Sequence, residues 1–303
     1  MQMRGFFAFG NVVYIGETAM LLTTVNATQI LTRTSGYLTS VASHSLQPYR
    51  GCALGNSLCG VGCYVQHSWY VTRGQRWGSF VESRMNAAEL YAEQFAKEQN
   101  WARLHHQRFV IFLSSATEPF QPMERKWRIT RSVLEAMCEQ PPDGLIVQSH
   151  SHHLADYVEL YRQLADRCDV RVHVSIESDQ DRLPGLPPPA SSVRQRMEAA
   201  RSIRQAGVRT VITVSPLLPI ADPPRFFGEL SYVADAVVID HFIGGDGSKN
   251  GSRTLRTALP EAMAELKPQS LDLNYRDEIV RQARQHFRGP VGVGIDGFAG
   301  RYC

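Results

Sequence analysis

Three of the six cysteines in this 303-residue chain fall inside one stretch, Pro48-Tyr49-Arg50-Gly51-Cys52-Ala53-Leu54-Gly55-Asn56-Ser57-Leu58-Cys59-Gly60-Val61-Gly62-Cys63-Tyr64. Thiols this close together point to a metal or cluster rather than to disulfides, because three is an odd number and the loop is short. The glycines among them let the backbone wrap tightly and turn amide N–H groups toward sulfur. With His67 added, the pattern reads Cys-x6-Cys-x3-Cys-x3-His, near the spacing of a Cys3His zinc site. Three thiolates without the histidine suit an iron–sulfur cluster with one iron left open. Spacing alone leaves both metals open.

Other residues of suggestive type carry less. His150, His152 and His153 form a histidine-rich patch, and His105-His106 another, but no carboxylate or cysteine at ligand spacing accompanies them. Gly244-Gly245-Asp246-Gly247-Ser248 follows no phosphate-binding fingerprint and reads as a mobile loop over a site. Cys138, Cys168 and Cys303 are scattered and read as reduced structural thiols.

The composition is 43% hydrophobic and 20% charged, with a net charge of +3, which describes an ordinary globular chain. So small a charge argues against a broad nucleic-acid or anionic-membrane surface. The basic runs Arg125, Lys126, Arg128, Arg131 and Arg201, Arg204, Arg209 read as solvated helix faces. No apolar run reaches the roughly 18 residues of a membrane span. The stretch Met1-Gln2-Met3-Arg4 leads into Phe6-Phe7-Ala8-Phe9 without a cleavage site. The expectation is a cytoplasmic protein with no membrane partner.

The elements that must position the cysteines come next. Up to residue 47 the chain has only short strand candidates, Asn11–Ile15 and Ala19–Leu22, and reads as a leader. From residue 78 short apolar runs alternate with amphipathic ones. Strands are predicted at Ser79–Arg84, Arg108–Ser114, Gly144–Gln148, Val170–Glu177, Val208–Ser215 and Ala236–His241. Helices are predicted between them, at Ala87–Gln99, Met123–Glu139, Leu154–Arg167, Val193–Ala206 and Pro223–Ala234. This alternation implies an α/β fold, a parallel sheet with right-handed crossovers, closed into a barrel or partial barrel. Function then gathers at the C-terminal strand ends, where Ser115, Thr117, Glu118, Ser149, His150, Ser151, Ser175, Glu177, Asp240 and His241 fall. A core spanning 48–250 with a cysteine loop at 52–63, and a C-terminal cover at 251–303, complete the expected organisation. The proline-rich stretch Leu183–Pro189 is too short to divide the core.

Several separated segments resemble the radical SAM (S-adenosylmethionine) superfamily, in the branch that contains spore photoproduct lyase. Ile30-Leu31-Thr32-Arg33-Thr34-Ser35-Gly36 and Gln47-Pro48-Tyr49-Arg50-Gly51-Cys52 are similar to that branch's approach to its cluster loop, and Cys63-Tyr64 to its exit. Trp77 to Leu90 resembles its first barrel strand and helix. Thr117-Glu118-Pro119-Phe120-Gln121-Pro122-Met123-Glu124 with Ile129-Thr130-Arg131 resembles the segment after its second strand.

The resemblance implies a partial (β/α)6 barrel, a [4Fe–4S] cluster on Cys52, Cys59 and Cys63, and SAM on the open iron. The chemistry implied is reductive cleavage to a 5′-deoxyadenosyl radical acting on an unidentified substrate, with lyase or oxidoreductase outcome. It also implies an electron donor of flavodoxin or ferredoxin type and favours a nucleic-acid-related substrate. By position, Ser149, His150, Ser151 and Ser175 would hold the ribose and carboxylate of SAM. Ser115 and Thr117 would add second-strand contacts, and Tyr64 would cover the adenine side.

The chain departs from the branch in four places. Its cysteine loop is four residues longer than the usual Cys-x3-Cys-x2-Cys and has Gly62 where an aromatic residue is usual. Ser149-His150-Ser151 replaces Thr-Lys-Ser, which puts a titratable ring in place of a fixed cation. Pro187-Pro188-Pro189 replaces a Glu-Pro-Arg turn. Ser114-Ser115-Ala116-Thr117 lacks the cysteine with which spore photoproduct lyase returns a hydrogen atom, so that repair reaction is not expected. The competing expectation is a non-catalytic barrel scaffold whose Cys3His site, closed by His67, holds zinc.

Overall fold

The computed structural model describes residues 8–9, 12–15 and 18–302, with side chains from Met20 onward. Cys303 and the Met1–Arg4 stretch lie outside the described residues.

Among the described residues thirteen strands form two sheets. The smaller has the order β1-β2-β3-β7-β6, with β1 at Ala8–Phe9, β2 at Val12–Ile15, β3 at Thr18–Val25, β6 at Tyr49–Gly51 and β7 at Phe80–Arg84. The larger has the order β13-β12-β11-β10-β9-β8-β5-β4. Its strands are β4 (Leu31–Arg33), β5 (His44–Leu46), β8 (Val110–Leu113), β9 (Gly144–Ser149), β10 (Asp169–Ser175), β11 (Arg209–Val214), β12 (Ala236–Ile239) and β13 (Val291–Val293). From β5 through β13 every neighbouring pair in this sheet is parallel, and β4 closes one edge antiparallel. The two edges do not pair with each other, so among the described residues the barrel is open.

The sequence shows why this sheet is buried on both faces. The strands Val110–Leu113 and Ala236–Ile239 are apolar without alternation and buried at every position, as parallel strands between two layers require. Their side chains divide with the two-residue period of a strand. Ile111, Leu113, Leu145, Val147, Ile212 and Val237 pack with the helices in the main core. Val110, Phe112, Ile146, Val211 and Val238 face inward and are stoppered by Phe298.

Two expectations change. The segment at Ser79–Arg84 is a strand, but β7 belongs to the smaller sheet, paired with β3 and β6. The first parallel strand of the large sheet is β5, three residues long and too short to leave a periodic signal. The cysteine loop therefore follows the first parallel strand instead of preceding it, which delivers it to the C-terminal end of the sheet. Strands β4 and β5, before residue 48, and β13, after residue 250, are all part of this one sheet.

The helices follow local rules. Val193–Gln205 opens with a capping box, in which Ser192 accepts from the Gln195 backbone and the Gln195 side chain accepts from the Ser192 N–H. Pro223–Leu230 begins with prolines in its first turn and is capped by Asp222. No helix among the described residues is long and apolar enough to cross a membrane.

Candidate functional site

A cavity of about 480 Å³ opens at the C-terminal end of the large sheet. Cys52, Cys59 and Cys63 line one wall, and side chains after β8, β9, β10, β11 and β12 line the rest. Its size lies within the usual range for a small-molecule site.

The cysteine loop is built by close backbone stacking. A Cβ on Gly60 would stand 2.2 Å from the Gly55 Cα, and one on Gly55 would stand 2.2 Å from the Gly78 Cα, so no side chain fits at either position. This stacking folds the loop tightly enough for all three thiols to face one space. Cys52, Cys59 and Cys63 are free thiols. Burial pushes Cys52 up to about 12, with the neighbouring Glu118 carboxylate and the Cys63 thiol adding to it. Burial likewise pushes Cys63 up to about 11, and burial with the other two thiols raises Cys59 well above its ordinary value. Against this, the Cys52 sulfur accepts from the backbone N–H groups of Leu54 and Glu118, and the Cys63 sulfur from those of Val65 and Gln66.

These thiols fit a metal centre. Without a positive partner they stay protonated, and a bound metal would ionise them outright. Among the described residues no group of three His, Cys, Asp or Glu side chains is arranged to hold a single metal ion. His67 does not line the cavity; its Nε2 is buried without a hydrogen-bond partner, and burial followed by the Arg256 charge lowers its pKa.

The sequence-derived site residues separate into two sets. Tyr64, Ser115, Thr117 and His150 line the cavity. Ser149, Ser151 and Ser175 do not, and act one layer behind. Ser149 donates to Glu118 Oε1 at 2.7 Å, Ser151 caps the turn that begins at His152, and Ser175 bonds Thr213 at 3.0 Å. Strand polarity explains the difference, since alternate residues at a strand end point away from the mouth. Ser149 therefore holds Glu118 in place, and the Glu118 Oε2 accepts from the His150 N–H at 3.0 Å.

Arg196 is a lining residue that sequence reasoning missed. Its guanidinium is 2% exposed, donates to Glu177 Oε2 at 2.7 Å, and leaves Nε without a hydrogen-bond partner. His150 approaches the other Glu177 oxygen at 3.0 Å. Burial alone would raise the Glu177 carboxyl, but Arg196 and then His150 hold it well below the usual carboxylate range. The available signal was its place three residues after Val193 and four before Ala200, on the buried stripe of the helix.

Asp240, directly after β12, occupies another part of the wall. It is 7% exposed and forms no ion pair among the described residues; Ser215 Oγ stands 3.4 Å from its Oδ2. Burial pushes its carboxyl up to about 7, with partial relief from Ser215. A Cβ on Gly245 would sit 2.4 Å from Asp240 Oδ2, so the bare backbone there leaves the carboxyl its room. Tyr37 and His241 line the cavity nearby, and His241 is fixed by an Nε2 contact to the Ser270 carbonyl at 3.0 Å.

The fold is a parallel α/β sheet left open at one side, with a three-cysteine loop after its first parallel strand. Its structural likeness is to spore photoproduct lyase. The structure of that enzyme complexed with dinucleoside spore photoproduct matches with a TM-score of 0.59 and 16% identity, over 96% of this chain and 87% of the other. A double mutant of the same enzyme, with bound AdoMet (SAM) and dinucleoside spore photoproduct, matches with a TM-score of 0.57 and 16% identity, over the same shares of both chains. In sequence, an uncharacterized protein of Methanocaldococcus jannaschii is 20% identical over 248 residues, covering 80% of this chain and 87% of that one. No protein-family model matches the sequence.

Proposed function

We propose that this chain is a radical SAM enzyme that holds a [4Fe–4S] cluster on Cys52, Cys59 and Cys63 and binds SAM beside it. The observation that carries the reading is the meeting of three free thiols with a buried, paired set of charges, Glu177, Arg196 and His150, in one cavity. A cluster bound there supplies one-electron reductive cleavage of SAM to methionine and a 5′-deoxyadenosyl radical.

The protein's own residues supply placement. Arg196 keeps Nε unpaired and offers a charge-assisted hydrogen bond to a carboxylate, the group a methionyl moiety presents. Glu177 is held ionised and accepts from ammonium or ribose hydroxyl groups. Ser115 and Thr117 stand at the β8 end, where Thr117 donates to the Tyr49 carbonyl at 2.9 Å and is thereby fixed. Tyr64 covers the cysteine side, and the apolar floor of Phe112 and Phe298 excludes water that would divert a radical. Asp240, Tyr37 and His241 are left for the substrate. Among the described residues the cavity wall carries no thiol beyond the three of the loop. The structural relatives carry a dinucleoside, which places DNA oligonucleotides first in a substrate panel.

The test is anaerobic iron and sulfide analysis with an absorption spectrum, on wild type and Cys59→Ala, then dithionite and SAM with chromatography for 5′-deoxyadenosine. The expected result is about four irons per chain, lost on substitution, with 5′-deoxyadenosine formed. One zinc per chain, no iron and no SAM cleavage would overturn the reading in favour of a non-catalytic scaffold.

A further inference from the structure

The proposed chemistry needs one electron from outside the chain for each SAM cleaved, and the inference here rests on that reading. The surface next to the cysteine loop has a definite character. From Gly51 through Val81 there is no acidic residue. The short turn Tyr64–His67 leaves the third cysteine and leads into the single helical turn Trp69–Thr72. At the roughly 2 Å rise per residue of such turns, Trp69 stands about 12 Å along the chain from Cys63.

This helical turn presents Trp69, 71% exposed, and Tyr70, 90% exposed, side by side. Arg73 and Arg76 follow, both exposed, and Arg73 lies close enough to Arg50 and Arg84 for all three to act on the Glu82 carboxylate. Glu82 is already taken by Arg50 at 2.7 Å. The platform is firm, because Arg50 donates to the Val71 carbonyl at 2.9 Å and lies over the Phe80 ring. The result is two exposed aromatic rings beside an excess of guanidinium groups, a composition typical of binding faces.

We infer that the Trp69–Arg76 face is the docking site for an acidic, low-potential electron-carrier protein. Charge complementarity selects an acidic partner and speeds encounter, while the aromatic pair supplies the desolvated centre. The carrier loses one electron and the centre on Cys52, Cys59 and Cys63 gains it; no bond or proton moves at the interface. A nucleic acid is also acidic, but Trp69, Tyr70, Arg73 and Arg76 lie outside the cavity lining, where a reacting base would have to enter.

The experiment titrates the anaerobically reconstituted full chain with two probes, oxidised flavodoxin and oxidised [2Fe–2S] ferredoxin, at 50 and 300 mM salt. The expected result is that at least one carrier binds and weakens with salt. Arg76→Glu and Arg73→Glu together should weaken it about tenfold or more, and Tyr70→Ser severalfold. Iron content and dithionite-driven 5′-deoxyadenosine formation should hold in these variants, while carrier-driven formation falls. Arg76→Glu alone, on an exposed side chain, guards against misfolding as the cause. The proposal is overturned if neither carrier binds, if the substitutions leave carrier affinity unchanged, or if they weaken a single-stranded oligonucleotide instead. Failure of dithionite-driven cleavage in the wild type would sink the enzyme reading itself, and this inference with it.

Discussion

Asp240→Asn should make the protein more stable at pH 8, and by much less at pH 5. The carboxyl is 7% exposed, forms no ion pair among the described residues, and is pushed by burial from 3.8 up to about 7, with only partial relief from Ser215, the Arg276 charge, the His241 N–H and Tyr37. A group with a raised folded-state pKa binds its proton more tightly in the native state. Its stabilising share is therefore fully present below the unfolded value and is lost as pH rises from about 4 to 7. Each unit is worth about 1.36 kcal/mol, so the carboxylate costs roughly 2–4 kcal/mol above pH 7, the lower figure allowing for water in the cavity. Asparagine keeps the shape and removes the titration. Urea or thermal unfolding of matched anaerobic preparations at pH 5, 6, 7 and 8 should show the gap opening with pH. At roughly 2 °C per kcal/mol for a chain of this size, it should reach about 4–8 °C. A gap independent of pH, or a variant less stable than wild type at pH 8, would refute the argument that Asp240 is an uncompensated buried acid.

Arg196→Met should cost about 3–5 kcal/mol at pH 7, because it strands the buried Glu177 carboxylate, and SAM affinity measured by titration should fall with it. The wild-type Glu177 pKa is depressed, so its stabilising contribution is present above the unfolded value near 4 and is lost as pH falls through the folded one. The deficit of the variant should accordingly shrink below pH 5, and Glu177→Gln added to it should recover much of the loss at pH 7. Gly60→Ala should abolish iron loading in anaerobic reconstitution, since its Cβ would meet the Gly55 backbone at 2.2 Å. His67→Ala should retain full iron content and the same absorption spectrum; loss of the metal would restore the Cys3His site.

The alternation of apolar runs and amphipathic segments located β8 through β12 and their helices, because those strands are buried on both faces and leave continuous apolar signals. Strand β5 was invisible for the opposite reason. It is three residues long, holds a buried histidine and a half-buried serine, and owes its place to pairing with β8 across 67 residues of chain. The cysteines were legible by type and spacing, but which strand-end polar residues face the cavity was not. Ser149 and His150 are adjacent, and strand pleat turns one inward and one back. Arg196 was hidden because a charged residue on a helix ordinarily faces water; it is buried here only because Glu177, nineteen residues earlier in the chain, comes to meet it.

Two acids of the cavity, Glu177 and Asp240, end in opposite states although burial raises both. Glu177 has a guanidinium and an imidazole within 3.0 Å and stays ionised, whereas Asp240 has a hydroxyl at 3.4 Å and a bare glycine, and sits near neutrality. A compensated carboxylate suits a cofactor whose charges are the same in every turnover. An uncompensated one is stable only as an acid, or when a ligand donates to it, so it discriminates between substrates that bring a hydrogen-bond donor and those that do not. If that division holds, Asp240→Asn should leave SAM affinity within about twofold of wild type while Arg196→Met reduces it tenfold or more. Equal loss in both variants would mean that SAM reaches across the whole cavity and leaves Asp240 no separate substrate to read.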